Sequence, residues 1–187
     1  LTEVDLLLDT QREIESSLTV EFFSAVKRVA KGEPIDYVLG YRDFFGIRLE
    51  LSPCVLIPRS ETEELVEIVI EEEKDSKVFA DIGTGSGAIA VALARELPAA
   101  RVVATDLSPE AISMAGKNAR RHGVSDRMVL VQGDLLAAVS GDFDVICSNP
   151  PYIEDTAWPG LDPVIRLHED PGALLAGLDG LDVIRAL

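Results

Sequence analysis

Val78-Phe79-Ala80-Asp81-Ile82-Gly83-Thr84-Gly85-Ser86-Gly87 reads as a short apolar strand running straight into a glycine-rich turn, and Ala88 to Glu96 continues it as a helix. The strand is apolar at almost every position rather than every second one, the pattern of a strand covered on both faces. Downstream the alternation repeats. Val102 to Asp106 reads as a second strand, followed by Ser108 as N-cap, Pro109 at the first helical position and a helix to about Arg121, where His122-Gly123 ends it. Met128 to Gln132 gives a third strand and Phe143 to Ser148 a fourth. Strands alternating with helices imply a doubly wound, parallel α/β sheet. The expected strand order is 3-2-1-4, with the glycine turn where the sheet reverses direction and binds its ligand.

Upstream of this unit, Ser60-Glu61-Thr62-Glu63 has the capping-box pattern, with Ser60 as N-cap and a helix to about Glu73. The glutamates of that helix read as a solvated face. Residues 32–59 have a different character. Ile47, Leu49 and Leu51 alternate with charged neighbours as in a half-buried strand, and Ser52-Pro53 signals a turn into a second strand at Val55-Leu56-Ile57. The expectation is a β-hairpin linking a helical piece to the main domain. Residues 1–31 read as two short helices, the second from about Val20 to Lys31, with Phe22, Phe23, Val26 and Val29 on its apolar side.

The glycine turn lets a ligand approach the backbone closely, and the helix N-terminus adds N–H donors. Gly83 to Ala88 also satisfies a loose dinucleotide fingerprint, so the turn alone does not separate a nicotinamide cofactor from S-adenosylmethionine. Asp106, at the end of the second strand, is placed to accept hydrogen bonds from ribose hydroxyls, and Asp134, just after the third, to meet an adenine amine. A hydrolase reading of Ser86 fails, because Thr84 and Ala88 stand where a nucleophile elbow needs glycines. Cys147 reads as strand packing.

The fourth strand ends in Asn149-Pro150-Pro151-Tyr152. Each proline fixes its own φ and removes an N–H, so the turn is stiff and offers mainly acceptors. The Asn149 side-chain oxygen and the Pro150 carbonyl can together accept the two N–H bonds of a planar NH₂ group, and the Tyr152 ring offers that plane a flat face. Such a site suits an amide or the exocyclic amine of a base.

Composition narrows the partners. Seventeen Lys and Arg against thirty-three Asp and Glu give a net charge of −16, which opposes tracking along phosphates and favours a protein or small-molecule substrate. Cys54, Cys147, His122 and His168 have no disulfide or zinc spacing, so no metal is expected and a reducing cytoplasm is the default. No apolar run approaches membrane-spanning length.

Taken together, Asp81-Ile82-Gly83-Thr84-Gly85-Ser86-Gly87, Asp106 and the Asn-Pro-Pro-Tyr turn resemble the Rossmann-like class I S-adenosylmethionine methyltransferases. Gly32-Glu33-Pro34-Ile35, Tyr37, Gly40, Phe44, Gly46, Ile57-Pro58-Arg59 and Glu61-Thr62-Glu63 resemble, more narrowly, the HemK-type N5-glutamine methyltransferases of peptide chain release factors. Ser60 stands where that family usually has proline, and Glu169-Asp170 where it usually has Glu-Pro. The resemblance implies S-adenosylmethionine as cofactor, S-adenosylhomocysteine as product and a release-factor Gly-Gly-Gln glutamine as methyl acceptor, in a monomer without membrane or nucleic-acid partners. It implies that Asp81, Gly83, Thr84, Gly85 and Leu107 line the cofactor, with Asp106 at the ribose, and Asp134 and Leu135 at the adenine. Asn149 meets both ligands, while Pro150, Pro151 and Tyr152 hold the glutamine, with Asn149, Pro150 and Tyr152 as the catalytic set. A ribosomal-protein glutamine, an adenine amine, or cofactor binding without turnover are the competing expectations.

The expected organisation is a partial helical domain over 1–31, a hairpin linker over 32–59 and the methyltransferase domain over 60–187. The fourth strand is apolar on both faces through Val145 and Ile146, and Asp182 to Leu187 reads as the start of a helix with no strand after it. The natural chain is therefore expected to continue past Leu187 with further strands, and a leader can precede Leu1.

Overall fold

The computed structural model describes residues 16–187, so the first of the two expected N-terminal helices lies outside the described residues. Helix α1, Ser16–Ala30, takes in the expected start at Val20 and ends one residue before the expected Lys31. The face expected to be its packing side, Phe22, Phe23, Val26 and Val29, is exposed. A short helix that the sequence reading did not anticipate, α2, Ile35–Leu39, follows Pro34 and is closed by Gly40 in the left-handed conformation.

The hairpin is present, but its strands are not the expected pair. Strand β1, Tyr41–Phe44, runs antiparallel to β2, Ile47–Glu50, across Phe45-Gly46. Both turn residues have positive φ, 46° and 70°, the two-residue turn whose twist matches that of the strands it joins. Phenylalanine is an unfavourable choice there, and the packing of Phe45 against the core compensates. Val55 to Ile57 forms no strand. Pro53 and Pro58 beside it lack an N–H, and Val55 N turns back to Ser52 O. The alternation itself was informative: Ile47 and Leu49 are buried with Phe44.

Helix α3 is Glu61–Glu72, and the capping role expected of Ser60 is not made. Ser60 is already helical (φ −61°, ψ −33°) with no side-chain cap, whereas an N-cap side chain reaches the first N–H groups from extended backbone. The turn is opened by backbone bonds instead, Thr62 N to Arg59 O and Glu63 N to Ser60 O.

The remaining order is β3 (Val78–Ile82), α4 (Ala88–Glu96), β4 (Arg101–Asp106), α5 (Pro109–Arg121), β5 (Met128–Gln132) and β6 (Val145–Ser148). These strands form one parallel sheet in the order β5-β4-β3-β6, the expected 3-2-1-4. Helix α4 is buried at every position from Ala88 to Ala94, as an all-apolar helix must be. It packs with Phe79, Val102, Val66 and the hairpin's Leu49 in the main core. A second cluster of Tyr37, Leu51, Val55, Ile57, Ala111 and Met114 fastens residues 37–57 to α5. Ser108 caps α5 as expected, its hydroxyl accepting from Ala111 N. Strand β6 begins two residues later than expected, because Asp144 uses its carboxylate to accept from Lys77 N and Val78 N.

Past β6 the chain makes two short helices, α6 (Pro163–His168) and α7 (Asp182–Ala186). Between them it doubles back onto the segment after the tetrapeptide: Ile153 N donates to Leu174 O, and Ala176 N to Ile153 O, each at 2.9 Å. Among the described residues no helix is long and apolar enough to cross a membrane.

Candidate active site

The glycine turn is fixed from three sides. Gly83 N and Thr84 N both donate to Thr105 O of β4, at 2.9 and 2.8 Å. Gly87 has φ +84°, and a side chain there would meet the Ala115 backbone of α5 at 3.1 Å, so glycine permits the close approach of the two elements. Asn118, fully buried on α5, accepts from Glu50 N at 2.7 Å and donates to Glu50 O and Ser86 O at 3.0 and 2.8 Å. One satisfied buried amide thus ties the turn to the hairpin.

Asp106 stands beside the turn with both oxygens engaged by backbone: Oδ2 accepts from Gly85 N at 2.8 Å and Oδ1 from Ser108 N at 2.9 Å. Each oxygen keeps a further lone pair for a ligand hydroxyl. A cavity of about 360 Å³ opens here, lined by Gly83, Gly85, Asp106, Leu107, Asp134, Leu135, Asn149 and Pro151 among the candidates. Leu135 is a non-glycine residue at φ 45°, a conformation that concentrates at ligand sites. The structure also adds wall residues that no motif announced, Cys54, Val55 and Leu56 on one side and Asp170, Gly172 and Ala173 on the other.

Asp81 and Thr84 do not reach this cavity. Asp81 is fully buried beneath the turn, its Oδ2 accepting from Thr84 Oγ1 at 2.6 Å and Ala90 N at 3.1 Å while Oδ1 has no partner among the described residues. They hold the turn's shape from below. Burial pushes the Asp81 carboxyl up to about 6, against the opposing pull of its two hydrogen bonds. A carboxyl raised in the folded state favours folding below its unfolded pKa of about 4 and loses that contribution as pH rises through 6. Urea unfolding at pH 4 and pH 7 is therefore expected to show wild type losing stability relative to Asp81→Asn as pH rises. A pH-independent difference would mean that Asp81 ionises normally.

A second, more open cavity of about 420 Å³ lies on the other side of the tetrapeptide, lined by Arg59, Thr62, Leu65, Ser148, Asn149 and Tyr152 together with Glu61. Asn149 borders both cavities. Its Nδ2 donates to Thr62 Oγ1 at 3.2 Å, and no bond among the described residues engages Oδ1. Pro150 lines neither cavity, and the Tyr152 ring is exposed on the second. Beside this cavity Arg59 Nη2 donates to both oxygens of Glu169 at 2.7 Å, and the Glu169 side chain is only 2% exposed. Cys147, one residue before Ser148, is buried, and burial with the nearby Asp81 charge pushes its thiol up to about 12, so it stays protonated and packs.

The Methyltransferase small domain model matches residues 61–160, and the PrmC N-terminal domain model residues 1–40. A release factor glutamine methyltransferase from Moorella thermoacetica is 44% identical over the whole chain, and one from Nitratidesulfovibrio vulgaris is 40% identical. The chain spans 67% and 64% of the length of these two curated relatives. Among solved structures, the hMettl16 catalytic domain in complex with an RNA hairpin overlays with a TM-score of 0.60 at 20% identity, over 81% of this chain and 59% of that one. That likeness carries the fold. With the glycine turn, the doubly wound sheet and two cavities meeting at Asn149, the sequence identity means that the chain belongs to the release factor glutamine methyltransferase family.

Proposed function

We propose that the chain transfers a methyl group from S-adenosylmethionine to the side-chain amide nitrogen of a protein glutamine, the acceptor being the Gly-Gly-Gln glutamine of a peptide chain release factor. The observation that carries this reading is Asn149 at the boundary of both cavities, its Nδ2 held by Thr62 and its Oδ1 engaged by no bond among the described residues. The first cavity fits the cofactor: a carboxylate with spare lone pairs for ribose hydroxyls, the exposed apolar Leu107, and a second acid at Asp134. When bound, the cofactor supplies a methyl carbon on a positively charged sulfur and is left as the neutral thioether.

The work of the protein is positional. An amide nitrogen is a weak nucleophile because its lone pair is delocalised into the carbonyl. Acceptance of an N–H bond by Asn149 Oδ1 orients that lone pair, and the Tyr152 face fixes the amide plane. The nitrogen loses a proton to solvent once it carries the methyl group, so no strong base is needed. The chain acts as a cytoplasmic monomer, and its net charge of −16 disfavours nucleic acid as acceptor. Residues 1–31, 32–59 and 60–187 divide it into helical, linking and methyl-transfer parts.

Mass spectrometry of a release factor after incubation with the chain and labelled cofactor tests this reading, with DNA, ribosomal RNA and ribosomal protein as parallel acceptors. A gain of one methyl on the Gly-Gly-Gln peptide is expected. Label on nucleic acid or ribosomal protein alone would overturn it.

Asp106→Ala is expected to weaken cofactor binding by about 1.5–3 kcal/mol, roughly ten- to a hundred-fold, through loss of charge-assisted bonds to the ribose and release of Gly85 N. Calorimetric titration checks this, and unchanged affinity would remove Asp106 from the site.

A further inference from the structure

We infer that Gly180 is a positioning residue for methyl transfer, fixing Tyr152 at the second cavity through a backbone approach that only glycine permits. The inference rests on the proposed glutamine reading and adds a residue from the segment that returns between α6 and α7. Tyr152 lines the second cavity and is 62% exposed. Among the described residues its ring stacks on no other ring and its hydroxyl makes no hydrogen bond. Its backbone, more than its neighbours, therefore sets where the ring stands.

The chain before Tyr152 cannot anchor that backbone by donation, since Pro150 and Pro151 have no N–H. The chain after it is anchored by the returning segment. Besides the two bonds between Ile153 and residues 174 and 176, Asp155 N donates to Gly177 O at 2.9 Å, and Gly177 N donates to Asp155 Oδ1 at 3.2 Å. Gly180 adds a contact of another kind. It is buried with φ +72°, and a Cβ on it would stand 2.5 Å from the Tyr152 carbonyl oxygen, 3.2 Å from the carbonyl carbon and 3.4 Å from Glu154 N. The Tyr152–Ile153 peptide is thus gripped on both edges, its N–H by Leu174 O and its C=O by Gly180. No side-chain rotation relieves an overlap with backbone, so a larger residue at 180 displaces this peptide and with it the Tyr152 Cα. Gly177 gives the contrast: a Cβ there meets the exposed Asp182 carboxylate, which is free to turn away.

The test uses the full chain with Gly180→Ala, Tyr152→Ala, the double variant and Gly123→Ala, whose φ of +67° carries similar strain with nothing within 4 Å of the added Cβ. Gly180→Ala is expected to lower kcat on release factor about ten- to a hundred-fold, the scale lost when a group is misplaced by about 1 Å, with cofactor Kd within a few-fold of wild type. Gly123→Ala is expected to lose a similar amount of melting temperature and to keep wild-type kcat. In the Tyr152→Ala background, Gly180→Ala is expected to lower kcat by no more than about two-fold further, because the group it displaces is gone. A readout independent of turnover is the Tyr152 ring resonance, identified by its absence in Tyr152→Ala, which is expected to shift in Gly180→Ala and to stay in place in Gly123→Ala. Should Gly180→Ala fail to fold, Asp155→Ala, which releases Gly177 N from the same contact, is expected to shift the resonance and lower kcat by a smaller factor. Wild-type kcat in Gly180→Ala or in Tyr152→Ala would overturn the inference. So would losses that multiply in the double variant, or a loss of cofactor affinity in parallel with kcat, which would mark Gly180 as merely structural. If wild type methylates no release factor, the glutamine reading fails while the resonance still decides whether Gly180 places Tyr152.

Discussion

Asn149→Ala is expected to lower methyl transfer at least ~100-fold while cofactor affinity stays within a few-fold of wild type, the scale lost when a positioning group is removed. Asn149 contributes an edge to the first cavity, whose wall also includes the glycine turn, Asp106, Leu135 and the Cys54 to Leu56 segment. In the proposed reaction it also accepts the N–H of the substrate amide. Alanine therefore removes one contact among several for the cofactor, but an orienting bond for the reacting nitrogen. Single-turnover rates and calorimetry on the same preparation check the split. An alanine variant transferring at the wild-type rate would reduce the tetrapeptide to a strand terminator.

Arg59→Ala is expected to destabilise the fold by about 3 kcal/mol, more than Glu169→Gln does. The asymmetry follows from burial. The Glu169 side chain is 2% exposed and Arg59 36%, so removing the arginine strands a carboxylate away from water, whereas removing the carboxylate leaves a guanidinium that solvent already reaches. Activity is expected to fall as well, because Glu169 adjoins Asp170, a wall residue of the first cavity, and Arg59 lines the second. Urea unfolding of both variants measures the difference. Equal and small effects would mean that the pair is hydrated in solution.

The sheet was legible because its strands are apolar runs separated by helices with strong start and stop signals. Ser108-Pro109 and the Ala88 to Glu96 run give helix limits that agree with the observed ones. The hairpin was placed one strand too late because Phe45 stands where such a turn usually has Asn or Asp, and it is held by packing rather than by local preference. Ser60 misled for the converse reason, since its local pattern suited a cap but the chain enters the helix already coiled. In the site, Asp106 and the tetrapeptide could be read from strand ends. Thr62, Asn118 and the Arg59–Glu169 pair could not be assigned roles, because each acts on a residue far away in sequence. Asn118 left a faint signal, a polar residue on the apolar side of an amphipathic helix.

That distance separates the two halves of the site by history as well as by place. The bond from Gly85 to Asp106 closes 21 residues within one strand–helix–strand unit, whereas the Thr62–Asn149 and Arg59–Glu169 contacts close 87 and 110. Closing a loop roughly five times longer costs about 1.5 kcal/mol more in chain entropy. As the chain folds, the turn around Asp106 can therefore take shape while the contacts beside the second cavity are still open. The glycine turn and Asp106 can be set before distant segments add Cys54 to Leu56 and Asp170 to Ala173 to the first cavity and close the second.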